Sequence, residues 1–402
     1  MAGLSSIEQE AVAHCTDAPM LDQVTAWAAV NSGSRNLAGL AAVAGLLADA
    51  FAALPGELVL ADAAPVEAMA ADGRLTPVEH GRNLHLAVRA EAPVKLLLTG
   101  HMDTVFGAGH DFQKVFWRDN GVLGGPGVAD MKGGLAVMLA ALQAVESTGV
   151  PQLGYEVVIN SDEEVGSPGS AALIARAAQG KKAALTYEPS ALPDGTLAGA
   201  RPGSGNFSIR ITGRPAHAGR NPEEGRNAVL AAADLALRLA AARQDGLSVN
   251  PAKIDGGGPN NVVPDHAVLR VNMRPRTPAL QAQAQALLDE TVAAVAAKHD
   301  VSIHIHGSFA RAPKPLDPKA ERLFALVKAA GADLGQAISW RDTGGVCDGN
   351  NIAACGVPVV DTMGARGGAI HSSEEFLIVE SLVERARLSA LTILRLANGE
   401  DL

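Results

Sequence analysis

The sequence predicts an α/β protein in which a three-layer, mixed-sheet domain is interrupted by a smaller ferredoxin-like α+β domain. Three observations predict it. Residues 94–180 alternate apolar strand-like runs with alanine-rich helical ones, the order expected of a sheet covered by helices on both faces. The character changes near Gly203, where apolar and polar residues alternate as in half-exposed antiparallel strands. From about Lys314 the earlier style resumes and closes in the helical run "EFLIVESLVERARLSALTILRLA". The expected boundaries are therefore 1–203 with 313–402 for the first domain and 204–312 for the insertion.

"VKLLLTGHMDTV" (Val94 to Val105) is a continuous apolar run that stops at polar residues, as a strand buried on both faces does. "MKGGLAVMLAALQAVEST" then reads as a helix, "YEVVINSDEE" as a strand and "GSAALIARAAQG" as a helix. In the insertion, "NFSIRITGRPAH", a helix over about Gly225 to Arg243, "HAVLRVNMRPR", a helix from Pro278 to His299 and "VSIHIHGSFA" give the order of a β-α-β-β-α-β unit.

At 402 residues the chain exceeds one ordinary core, which favours two domains. A net charge of -10 without a Lys/Arg stripe excludes nucleic acid and anionic membrane as expected partners. The apolar stretch Leu37 to Leu54 carries Asp49, keeps helical spacing and is followed by Pro55, so a buried helix is expected rather than a membrane span. The first residues lack a basic and apolar leader, and Cys15, Cys347 and Cys355 fit no disulfide or metal spacing. Both features lead to the expectation of a cytoplasmic protein.

Ligands of such sheets bind beyond the carboxyl ends of the strands, and there the sequence gathers titratable side chains. "TGHMDTV" places His101 and Asp103 two apart at a strand end, so His101 can ligate a metal while Asp103 accepts from its other ring nitrogen. "GGPGVADMKGG" presents Asp130 in a glycine-flanked turn suited to a bridging carboxylate; capping of the next helix is the plainer alternative. "SDEEVGSPGS" sets Glu163 beside Glu164, "YEPS" supplies Glu188 and "IHSSEEF" supplies His371. Three acids in a row repel one another, and a divalent cation turns that repulsion into shared attraction. Two histidines, two glutamates and one aspartate are the inventory of a two-metal hydrolytic centre. Strand alternation is expected to point Glu163 and Glu164 to opposite sides; Asp162 has no assigned role.

These motifs, with "GRPAHAGRNPEEGRNA", "NNVVPDHAVLRVNMR" and "TGGVCDGN", occur in an order that resembles the zinc-dependent aminoacylase and carboxypeptidase G family, peptidase family M20. The resemblance implies a zinc-peptidase-like catalytic domain with a dimerisation and lid domain inserted. It also implies two Zn2+, with Co2+ or Mn2+ as substitutes: His101 and Glu188 on one ion, Glu164 and His371 on the other, Asp130 between them. Glu163 would be the general base and Asp103 the partner of His101. His217 would reach the active site of the second subunit of a homodimer, with Asn261 beside it in substrate binding. Arg274 and Arg311 would bind substrate carboxylates, and Asp348 would lie on the substrate side or behind the ligands. Two positions depart from the family pattern: Met131 stands where an Asp, reached through a cis peptide, is usual, and Cys347 replaces a Ser or Thr. No His-Asn partner pattern supports Cys347 as a nucleophile.

A glutamate at position 188 and the "YEPS" form resemble the carboxypeptidase G branch. The expected reaction is hydrolysis of an N-acyl amino acid or peptide-like amide, with glutamate a candidate for the released residue. An N-deacylase of the acetylornithine deacetylase, aminoacylase or desuccinylase type is the alternative. A non-catalytic binding protein would have lost the base or a ligand, and a mononuclear protease would need H-E-x-x-H; the sequence retains the first set and lacks the second.

Overall fold

A computed structural model describes residues 3–16, 18–399 and 402. Its central sheet has six strands in the order Glu57–Ala61, Asn83–Val88, Leu153–Asn160, Val94–His101, Ala183–Thr186 and Val359–Val360. The first two join antiparallel, and the remaining four run parallel. The sheet is therefore mixed, and its parallel strands share one carboxyl edge.

Consecutive leucines show why it is covered on both faces. Leu96 and Leu98 are buried in the large core with Val157 and Ile159, under the helices Leu37–Phe51, Gly134–Ser147 and Glu380–Ala397. Leu97 and Val158 point the other way, into a second core with Ile174 and Ile352 from the helices Ala171–Ala178 and Asp348–Ala354. Strand residues alternate sides, so a run that is apolar throughout needs an apolar layer on each. The run Leu37–Phe51 forms one of these helices, capped by Asn36, whose side chain accepts from Gly39 N at 3.2 Å.

The inserted unit is a four-stranded antiparallel sheet, Leu247–Gly256, His266–Pro275, Ser204–Thr212 and Ser302–Arg311 in spatial order. The helices Ala228–Ala241 and Pro278–His299 cover one face, where Phe207, Ile209, Leu235, Leu269 and Leu288 make a separate core. Arg210, Arg270 and Asn272 emerge from the opposite face. A hairpin of the first domain, Val66–Met69 with Leu75–Val78, reaches across to that face. Its carbonyls accept from lid side chains: Met69 O from Arg270 Nη2 at 2.9 Å, Gly73 O from Arg210 Nη1 at 3.3 Å and Ala71 O from the His266 ring at 3.0 Å. These contacts add to the two chain crossings that join the lid to the catalytic domain.

Candidate metal centre

Three parallel strands deliver their following residues to one place. His101 ends Val94–His101, Glu163 and Glu164 follow Leu153–Asn160, and Glu188 follows Ala183–Thr186. Asp130 comes from the turn Val128–Gly133, which contains a cis peptide between Asp130 and Met131, and His371 from a turn before the strand Phe376–Ile378. The Met131 thioether accepts from His101 N at 3.3 Å.

The five candidate ligands centre on Asp130, and among the described residues their atoms gather within 4.8 Å as His101 with Asp130 and Glu164 and as His101 with Glu188, where Glu163 joins them. His101 Nε2 is 3.1 Å from Asp130 Oδ1 and 3.7 Å from Glu188 Oε2. His371 Nε2 is 3.3 Å from Asp130 Oδ2 and 3.1 Å from Glu164 Oε2. Ligands ~2.0–2.1 Å from a zinc-sized ion at tetrahedral angles lie roughly 3.3 Å apart. The observed spacings bracket that edge, and each histidine lies against a different oxygen of Asp130. Glu188 Oε1 is buried with no hydrogen-bond donor, a costly state for a carboxylate unless a cation meets it. The residues present therefore fit a pair of divalent cations.

The electrostatics record the same excess of negative charge. Burial, then the Asp130 charge, pushes Glu164 up to about 8. Hydrogen bonds to Asp130 and Glu164 push the half-exposed His371 up to about 11. Burial disfavours charge on His101, but Glu188, Asp103 and Asp130 outweigh it and hold its pKa well above the usual imidazole value. Burial would also raise Asp130, yet hydrogen bonds from His101 and His371 hold it well below the carboxylate range.

Glu163 and Glu164 are not sorted by strand alternation. The strand stops at Asn160, and Glu163–Val165 is a single tight helical turn. What fixes it is Asp103, whose two carboxylate oxygens accept from Glu163 N at 3.1 Å and Glu164 N at 3.2 Å while Ser34 Oγ donates at 2.7 Å. Asp103 also flanks His101, with its carbonyl 3.0 Å and its Oδ1 3.4 Å from His101 Nδ1. Asp162 closes the following loop, accepting from Gly169 N at 2.6 Å and Ser170 Oγ at 2.5 Å.

Arg311 and Asp348 do not line the cleft. The buried Arg311 guanidinium lies 2.7 Å from Glu163 Oε1, an ion pair whose angle leaves that oxygen without a hydrogen bond. It also donates to Glu163 O at 3.2 Å and Ser167 Oγ at 2.9 Å, and Asp348 Oδ1 lies 3.3 Å away. Asp348 in turn accepts from Asn160 Nδ2 at 2.8 Å. With these partners, both residues back the Glu163 turn instead of facing substrate. Burial, against the pull of Arg311, pushes Glu163 up to about 7.

Arg274 lies outside the cleft lining, donating to Gly344 O at 3.1 Å. His217 and Asn261 sit exposed on a hairpin of the inserted domain, joined by Ala218 N donating to Asn261 O at 2.9 Å, and neither lines this chain's cleft. Cys347 does line it, but burial pushes its thiol well above the ordinary value, which opposes a nucleophilic thiolate.

Two residues absent from the sequence reading matter here. Arg201 lines the cleft with its guanidinium on Asp361, at 2.7 and 3.1 Å. Glu375 accepts from the backbone of the Asp130 turn. A charged residue inside "GARPGSG" and the second acid of "SSEEF" were the available signals.

Comparison with known proteins gives a family and a fold. The model of Peptidase family M20/M25/M40 matches residues 97–395. Carboxypeptidase G2 of Pseudomonas sp. (strain RS-16) is 31% identical over 327 residues, covering 80% of this chain and 78% of its own length. Succinyl-diaminopimelate desuccinylase of Pseudomonas syringae pv. tomato is 28% identical over 331 residues, covering 76% and 83%. Among solved structures, the M20 metallo-carboxypeptidase Sso-CP2 of Sulfolobus solfataricus superposes with TM-score 0.71 at 14% identity, covering 95% of this chain and 100% of its own. The YXEP protein of Bacillus subtilis, described as a dinuclear metal-binding peptidase, gives 0.65 at 14% identity, covering 96% and 99%.

Ligation requires neutral imidazole and ionised carboxylate. With His371 held to about 11 and Glu164 to about 8, cation binding to the metal-free protein must expel protons. Titration calorimetry in buffers of different ionisation enthalpy should show more protons released at pH 7 than at pH 9, where Glu164 is already ionised. Affinity should strengthen as pH rises; a pH-independent affinity with no proton release would contradict the ligand set.

Proposed function

This chain belongs to Peptidase family M20/M25/M40 and is a metal-dependent hydrolase of C–N amide bonds; from that premise we propose that it cleaves an N-acyl amino acid, releasing the free amino acid, with two Zn2+ as its cations and Glu163 as general base. The observation that carries this reading is the division of labour between two neighbouring acids. Glu164 points at His371 and Asp130, while Glu163 faces the cleft with Arg311 behind it.

When bound, the cation pair polarises the scissile carbonyl and acidifies the attacking water. Glu163 takes the proton from that water and returns it to the leaving nitrogen. In the metal-free protein burial, against the pull of Arg311, raises the pKa of Glu163, the direction that favours a group accepting a proton. Asp103 holds the amides of Glu163 and Glu164 and so keeps base and ligand at a constant separation. His101, Glu188, Glu164, His371 and Asp130 hold the ions.

The cleft, about 430 Å³, favours an apolar or aroyl acyl group: Pro189, Ala191, Pro193, Val346 and Phe376 line it, and its one arginine, Arg201, is already paired with Asp361. This supports the carboxypeptidase G-like reading over the desuccinylase alternative, whose substrate brings an anionic acyl group. Arg274, beside the Gly344 loop, is the proposed contact for the amino acid's carboxylate, glutamate included. Among the described residues the cysteines are free, which supports a reducing, cytoplasmic setting.

We further propose a homodimer through the lid. The helix Ala228–Ala241 exposes Leu230 and Leu237, two turns apart on one face, at 60% and 73%. Covering them with a second copy would also allow His217 and Asn261 to act in the partner's cleft, where His217 would stabilise the oxyanion.

Glu163→Gln should lower kcat by ~10²–10⁴ while leaving cation stoichiometry intact; undiminished turnover would remove Glu163 from the mechanism. On a substrate panel, kcat/KM should be higher for N-benzoyl-glutamate than for N-succinyl-diaminopimelate or acetylornithine, and the reverse order would favour the deacylase alternative. Leu237→Glu should halve the mass seen in sedimentation velocity and take activity with it; an active monomer would exclude the partner role of His217.

A further inference from the structure

Glu375 is buried, yet among the described residues no side chain donates a hydrogen bond to it. Its carboxylate accepts from the backbone alone: Gly127 N at 3.2 Å on Oε2, and Ala129 N and Asp130 N at 3.0 Å each on Oε1. Although Val128 N between them donates to Gly125 O, backbone amides of one turn that converge in this way form a concavity for an anion. Gly127 allows it by adopting the left-handed conformation, φ 73°. A Cβ there would meet Thr104 Cγ2 at 2.7 Å and Lys132 Nζ at 3.1 Å, so the position excludes a side chain as well as favouring glycine by its φ.

The two ends of this contact lie about 245 residues apart in sequence. Asp130, whose own amide is one of the three donors, offers an oxygen to each histidine. Glu375 lies four residues after His371, in a turn closed by Glu375 N donating to Ser372 O at 3.1 Å, and His371 itself has φ 61°. The strand that follows, Phe376–Ile378, pairs with Val122–Gly124 just ahead of the Asp130 turn. Backbone pairing thus sets the coarse register of the two turns. The carboxylate sets the fine one, at the residue that bridges.

We propose that Glu375 is a positioning residue of the binuclear centre: by binding the amides of Gly127, Ala129 and Asp130 it fixes the bridging Asp130 against the His371 turn. The inference rests on the two-cation reading of the site. Glu375 touches neither substrate nor the reacting atoms, and it acts through Asp130. Glu375→Gln keeps an oxygen for Ala129 and Asp130 but turns an NH2 toward Gly127 N–H, whereas Glu375→Ala removes all three acceptors. The effect should therefore be graded.

The test is zinc binding to the full-length, metal-free protein, measured by competition with a chromogenic chelator, alongside the melting temperature of the same metal-free samples. Outer partners of this kind typically contribute ~10–100-fold in metal affinity. Glu375→Gln is expected to weaken zinc binding by about tenfold and Glu375→Ala by about a hundredfold. Leu391→Ala, a cavity in the last helix remote from the centre, serves as the comparison: it should lower the melting temperature and leave zinc affinity unchanged. If both Glu375 variants bind two zinc ions as tightly as the unaltered protein, or if Leu391→Ala weakens zinc equally for the same loss of melting temperature, the positioning role is wrong. If the unaltered protein itself takes up no zinc pair, the two-cation reading fails instead.

Discussion

The structure depends on one electrostatic constraint, the mutual repulsion of largely buried carboxylates gathered at one cleft. Asp130, Glu163, Glu164 and Glu188 all line the same cleft. Two like charges ~4 Å apart at an effective dielectric constant of ~20 repel by about 4 kcal/mol. Several such pairs approach the whole stability of a domain, roughly 5–15 kcal/mol. Without cations the site answers by holding protons, on Glu164 and on both histidines. With them, the same groups become ligands, and the constraint becomes the source of affinity.

Much of the surrounding fold exists to hold these acids apart and pointed. The parallel strands, apolar on both faces, anchor the residues that follow them in two cores at once. Asp103 spends its oxygens on the amides of Glu163 and Glu164, so one buried carboxylate sets the direction of two others. Arg311 arrives from the last strand of the inserted domain and lies behind Glu163. A residue of the inserted domain therefore supports the proposed base of the catalytic domain.

The order of elements was legible in the sequence because each had a distinct period: continuous apolar runs for the doubly covered strands, alternation for the lid, alanine-rich spacing for the helices. The convergence of His101, Asp130, Glu164, Glu188 and His371 on one place was legible because strand ends and glycine-flanked turns meet at the carboxyl edge of such sheets. Other features were not. The turn at Glu163 looked like a strand end because the hydrogen bonds that bend it come from Asp103, about 60 residues away. Arg311 looked like a substrate contact, and Asp348 was left between the substrate side and the back of the ligands, because pattern alone does not tell a side chain facing a cleft from one behind it. Glu375 was indistinguishable from its exposed neighbour Glu374, since its partners are backbone amides and leave no side-chain signature. His217 and Asn261 do not line the cleft of this chain.

The central claim is that two cations share Asp130. Anomalous diffraction at the zinc edge, from crystals of the zinc-loaded protein, tests it most directly. The account predicts two peaks flanking Asp130, one beside His101 and Glu188 and the other beside Glu164 and His371. A single peak, or a pair with Asp130 bound to only one, would contradict it.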